Sequence, residues 1–193
     1  MEWVTNHLQI KGDRALEVLQ SLLTKTVEYV QEEPEEWTGI DFNKIRPMPD
    51  SLKEDIVPNT VQENWCLANW GVRANAFDTQ IPDEERAEVF FGTADNDVAE
   101  LIKELSVAHP DCIFEYEYAV TEAGSLAGKC EFVNGKSVVR KQYPVGSKEA
   151  YEIYFNLWGD KSKFTFNNRK ILMSVPEWKR NDKSKAVAQE QPL

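Results

Sequence analysis

Five neighbouring residues, Trp65, Trp70, Gly71, Arg73 and Asn75, have the chemistry of a recognition patch. Indole rings stack, a guanidinium holds an anionic group, and a carboxamide both donates and accepts hydrogen bonds. The same residues also read as plain structure. Two tryptophans can pack a helix end into a core, with Gly71 closing the helix and Asn75 satisfying loop backbone. Both readings stand at the level of sequence. Carboxylates such as Asp78 follow closely enough to join the segment if it forms an enzyme site. A deep pocket with a perturbed carboxylate or histidine would favour catalysis, and a flat or filled region would favour binding.

Other reactive side chains make weaker constellations. His7 and Cys66 supply a base and a nucleophile without a third orienting group. His109-Pro110-Asp111-Cys112 holds metal-capable atoms, but a zinc site needs about four ligands and the second pair is missing. Gly124-Ser125-Leu126-Ala127-Gly128 lacks the Lys-Ser/Thr of a phosphate loop and reads as a strand connection. Pro47-Met48-Pro49 either lines a cleft or only directs a loop. Phe114, Tyr116 and Tyr118 alternate with Glu115 and Glu117, an acidic setting unsuited to RNA. No cofactor is expected.

These residues need elements to carry them. Val4, Leu8 and Ile10 share one parity and predict a strand over residues 3–10. Asp13 is placed to cap a helix running from about 14 to about 29, with Leu16, Leu19, Leu23 and Val27 along it. Residues 40–45 alternate as a half-buried strand until Pro47. A proline-punctuated excursion follows, then a helix over 61–70 ending at Gly71. Strands are expected over 75–81 and 88–93. Val98, Leu101, Ile102 and Leu105 make the clearest helical stripe. A strand over 114–120 leads to a hairpin turning on Asn134-Gly135, since that pair suits two positive φ values. A last helix starts at Ser147 and puts Tyr151, Tyr154, Phe155 and Trp158 on one face. An exposed stripe there would suit a dimer or a partner.

The order predicts an α+β fold: a ferredoxin-like sandwich, an antiparallel sheet with helices on one face. An inserted loop-and-helix excursion and a C-terminal hairpin-helix elaboration would decorate it. A single domain is expected over 1–176, its core at about 3–125 and the elaboration at about 126–176. Residues 177–193 read as a polar, disordered tail.

Composition narrows the functions. With 193 residues and a net charge of -11, the chain has the size of one domain and a poor charge for gripping phosphate backbones. No direct nucleic-acid binding is expected. No apolar run is long enough for a membrane span, and the start lacks a signal-peptide pattern. Three scattered cysteines argue for a reducing, cytoplasmic setting. A protein partner remains open. Glu32, Glu33, Glu35 and Glu36, with Asp83, Glu84, Glu85, Asp95 and Asp97, could present phosphate-like charge to a nucleic-acid-binding protein, or simply keep the fold soluble.

Three segments carry a family likeness: Trp3-Val4-Thr5-Asn6-His7-Leu8, then Phe42-Asn43-Lys44-Ile45-Arg46-Pro47-Met48-Pro49, then Trp65 through Trp70-Gly71 to Asn75-Ala76. Together they resemble the YubB-type ferredoxin-like family of plasmids, phages and integrated mobile elements, over residues 3 to about 125. The chain departs from that pattern at Ala74, where a large aromatic is expected, and beyond about residue 126. The resemblance implies a non-enzymatic accessory or binding protein of a mobile element, with no established catalytic residues. "Ferredoxin" here describes topology: a cluster normally needs four cysteine ligands, and the chain has Cys66, Cys112 and Cys130.

Overall fold

The computed structural model describes residues 2–30, 33–54, 56–159, 164–167 and 170–173, with side chains over 2–25, 38–54 and 56–159. Strand β1 (Trp3–Lys11) lies at the centre, and its burial alternates residue by residue. It pairs antiparallel with β5 (Glu88–Ala94) on one side and β6 (Ile113–Val120) on the other. With β4 (Phe77–Gln80), β7 (Ala127–Val133) and β8 (Lys136–Tyr143), the sheet runs β4-β5-β1-β6-β7-β8. Every pairing is antiparallel.

The two faces of this sheet are covered differently. Val4, Leu8 and Ile10 share one face with Val89, Phe91, Phe114, Tyr116 and Phe132. Helices α1 (Ala15–Ser21), α2 (Asn59–Trp70) and α3 (Ala99–Ala108) all contribute to that core. Helix α4 (Lys148–Trp158) instead packs Ala150 and Ile153 against Ala119 and Ala127. Strand residues alternate faces, so Ala119, between Tyr118 and Val120, points away from the main core. Helices α1, α2 and α3 thus share one face, and α4, in the C-terminal elaboration, covers the opposite one. Tyr151 and Phe155 are buried there, and Trp158 Nε1 donates to the Ala119 carbonyl at 3.3 Å. The aromatic stripe is thus used within the chain rather than left open.

Beyond α4, the second face is a polar ladder. His7 stacks on Phe90 at 4.4 Å, its Nε2 meets Glu88 Oε1 at 2.8 Å, and Lys129 donates to Glu117.

Local chemistry explains most elements. Asn134 and Gly135 both take positive φ, 46° and 71°, and turn β7 into β8. Ser147 Oγ accepts from Ala150 N and starts α4. The long first helix is corrected: α1 stops at Ser21, and Leu23–Val30 forms β2, paired antiparallel with β3 (Glu33–Ile40). Thr24, Thr26 and Val27 are β-branched and favour strand over helix. Asp13 does not cap α1, which begins after Arg14 without a side-chain cap. The strand expected over 40–45 is a 3-10 turn at Phe42–Lys44, started by Asp41 accepting from Asn43 N at 3.0 Å. Two further short strands, β9 (Phe164–Asn167) and β10 (Lys170–Met173), pair with each other. The tail expected to be loose, 177–193, lies outside the described residues.

Candidate functional site

Helix α2 ends where Gly71 takes φ +82°, a conformation that favours glycine. The chain then arches through residues 72–76 into β4. Trp70 is buried, its Nε1 donates to the Arg46 carbonyl at 2.8 Å, and its ring meets Phe42 and Trp65 edge-on. Asn75 pins the arch to the 3-10 turn. Its Oδ1 accepts from Phe42 N at 2.8 Å and from Ala76 N at 3.0 Å, and its Nδ2 donates to Asp41 at 2.7 Å. Burial pushes the Asp41 carboxyl up, but bonds from Asn43, Asn75 and Thr24 outweigh it and hold the carboxyl below its ordinary value.

A cleft of about 670 Å³ opens between α2, this arch and the sheet end. Its apolar lining comes from Trp3, Met48, Cys66, Trp70, Ala74, Phe77 and Ala94. Its polar lining comes from Asn43, Asn59, Gln62, Glu63, Arg73 and Asn75. Trp3 is half-exposed and stands edge-on to Phe77 at 4.8 Å. Arg73 Nε donates to Asp95 Oδ2 at 2.9 Å, and its Nη1 lies 3.8 Å from Glu63. That bond and one from Glu2 N hold the Asp95 carboxyl below its ordinary value.

The structure gathers Trp70, Arg73 and Asn75 at this cleft. Trp65 lies behind, packed on Trp70, and Gly71 acts through backbone geometry. Of the Pro47-Met48-Pro49 loop, Met48 reaches the cleft. Asp78 does not join. It is exposed on β4 and borders a separate hollow of about 250 Å³ with Leu157 and Trp158. His7 does not meet Cys66, because His7 sits on the ladder face and Cys66 in the core of the other. Burial pushes the Cys66 thiol up, so it is a poor nucleophile.

Among the described residues no group of three or more His, Cys, Asp or Glu is arranged to hold a metal, His109 to Cys112 included. Phe114, Tyr116 and Tyr118 point into the core and offer no open stacking platform. Of the acidic residues, Asp95 is tied to Arg73 and Asp97 is half-buried, so neither is a free surface charge. Asp83, Glu84 and Glu85 are exposed. Glu32 and the side chains of Glu33, Glu35 and Glu36 lie outside the described residues.

One cluster escaped the sequence reading. Asp97 borders a second cleft of about 400 Å³, with Arg46, Asn69, Glu100 and Arg140. Its Oδ1 accepts from Ala99 N at 2.8 Å, and burial pushes its carboxyl up. Burial also raises the nearby Tyr118 hydroxyl and pushes the Cys130 thiol up to about 11. Arg140 closes this corner by pairing with Glu100. These residues come from the loop after the 3-10 turn, α2, the approach to α3, α3 itself, β6, β7 and β8, so no sequence spacing signals them. Comparison with known protein families, curated proteins and solved structures finds no match to this chain.

Proposed function

We propose that this chain is a non-enzymatic binding protein and that the cleft beside α2 is its recognition site. The observation that carries this is the state of the polar groups lining it. Asn43 and Asn75 are spent on the loop scaffold, Arg73 is held by Asp95, and the Cys66 thiol is raised. What remains open is apolar and aromatic surface edged by Glu63 and Gln62, which suits recognition better than proton or group transfer. A catalytic role for the Trp70–Asp78 segment is less favoured, since Asp78 stands apart.

Strand order β4-β5-β1-β6, with α1 and α3 on one face, supports a ferredoxin-like core extended by β7, β8 and α4. The three segments quoted above support an accessory role of the YubB type in a mobile element. Ala74, where that likeness implies an aromatic, borders the cleft and leaves it open. The test is to fill it. Ala74→Trp, at an exposed position, is expected to abolish partner capture from host lysate while the Tm holds. An unchanged set of captured partners would overturn the cleft as the site.

A further inference from the structure

The cleft's charge and remaining hydrogen-bonding capacity narrow its occupant, an inference that rests on the recognition reading above. Asp95 is engaged at both oxygens, by Arg73 Nε and by Glu2 N, each at 2.9 Å. Glu63 is not: among the described residues its one ion pair is the loose 3.8 Å contact with Arg73. Gln62 donates one amide N–H to the Leu52 carbonyl at 2.7 Å, which anchors the group and leaves its oxygen able to accept. The wall around these acceptors is aromatic and soft, with Trp3 half-open beside Phe77 and Met48. Asp95, just outside the lining, answers the Arg73 charge and leaves Glu63 as the carboxylate within it, on a chain of net charge -11. An anion reaching for Arg73 would sit beside both Asp95 and Glu63.

We propose that the cleft receives an arginine side chain from a basic segment of a partner protein. The guanidinium lies against Trp3, where a ring face attracts a cation, and donates to Glu63 and Gln62. Arg73 is then a competitor of the incoming arginine rather than a receptor for it. This sets the signs of the substitutions. Removing the Glu63 charge weakens binding, and removing the Arg73 charge strengthens it.

The test titrates the full chain with a short peptide alternating arginine and glycine, and with its citrulline counterpart, at low salt. Citrulline keeps the shape and loses the charge. Calorimetry reads affinity, and Trp fluorescence quenching by acrylamide reads protection of Trp3. The arginine peptide is expected to bind and protect. Glu63→Gln should weaken it about tenfold, as loss of a charge-assisted bond does. Arg73→Gln should tighten it, and Ala74→Trp should abolish it. Asp83→Asn with Glu84→Gln, far along the chain and exposed, should change it less than about twofold. Equal binding of the citrulline peptide, weaker binding by Arg73→Gln, or a distal effect as large as that of Glu63→Gln would each overturn the proposal. If Ala74→Trp leaves the arginine peptide's binding intact, the cleft itself is not the site, and the recognition reading falls with it.

Discussion

The Tyr116 hydroxyl donates to the side-chain oxygen of Asn6 at 2.5 Å, and both residues are closed to solvent. The same hydroxyl accepts from Val98 N at 2.9 Å. Asn6 Nδ2 in turn donates to the Phe91 carbonyl and to Thr93 Oγ1. One buried network thus joins β1, β5, β6 and the start of α3. Burial raises the Tyr116 hydroxyl well above its ordinary value, so it stays a donor.

Removing that hydroxyl orphans a buried acceptor and a buried N–H. Tyr116→Phe is expected to lower stability by about 1–3 kcal/mol in urea denaturation, the usual cost of an unsatisfied buried polar group. A loss under about 0.5 kcal/mol, the level of an ordinary surface change, would show the network to be dispensable.

Asp97 makes the opposite prediction. Its folded carboxyl is raised by burial, so the folded state binds its proton more tightly than the unfolded state. Its ionisation therefore costs stability above the folded value, and that cost disappears as pH falls towards the unfolded value. Asp97→Asn keeps an acceptor for Ala99 N and removes the charge. It should raise the Tm at pH 7, with the difference shrinking at acidic pH. A Tm lowered at pH 7 would show that the charge helps the fold, through Arg140 and the α3 dipole.

The three thiols should be nearly silent in the folded protein. Cys66, Cys112 and Cys130 are all buried, and burial raises each. A disulfide reagent at pH 8 should react in urea far faster than in buffer, with Cys66 first because it borders the cleft. Mapping by mass spectrometry checks the order, and early labelling of Cys130 would contradict it.

Gly92 allows the Phe77 ring to lie directly on β5. A Cβ there would come within 2.3 Å of that ring. Gly92→Ala is expected to cost about 1–3 kcal/mol through overpacking. It should also disturb the Trp3–Phe77 contact and so shift Trp fluorescence. Unchanged emission and stability would mean that β4 yields freely.

Much of the frame was legible in sequence because it is encoded locally. The Val98–Leu105 stripe, the Asn134-Gly135 turn, the Ser147 cap and Gly71 each need only nearby residues. The failures share a cause in distant partners. Asp41 starts a turn instead of extending a strand, and it does so with Asn75, 34 residues later. Leu16, Leu19 and Leu23 fit a helix by spacing, yet strand pairing of Leu23 with Ile40 takes over. The spacing in α4 put its aromatic residues on one face but could not say whether the chain itself would cover them. The cleft was half legible. Trp70, Arg73 and Asn75 could be picked out, whereas Trp3 and Phe77 enter only through strand pairing.

The central place of β1 has a consequence for synthesis. Asn6 finds its partners 85 and 110 residues later, at Phe91 and Tyr116. At about 5–20 residues per second, the ribosome takes on the order of 5–20 s to deliver the later one. Until β5 is made the central strand has neither neighbour, and it lacks β6 to the end of that interval, so its apolar side chains are open to any chaperone that reads extended apolar chain.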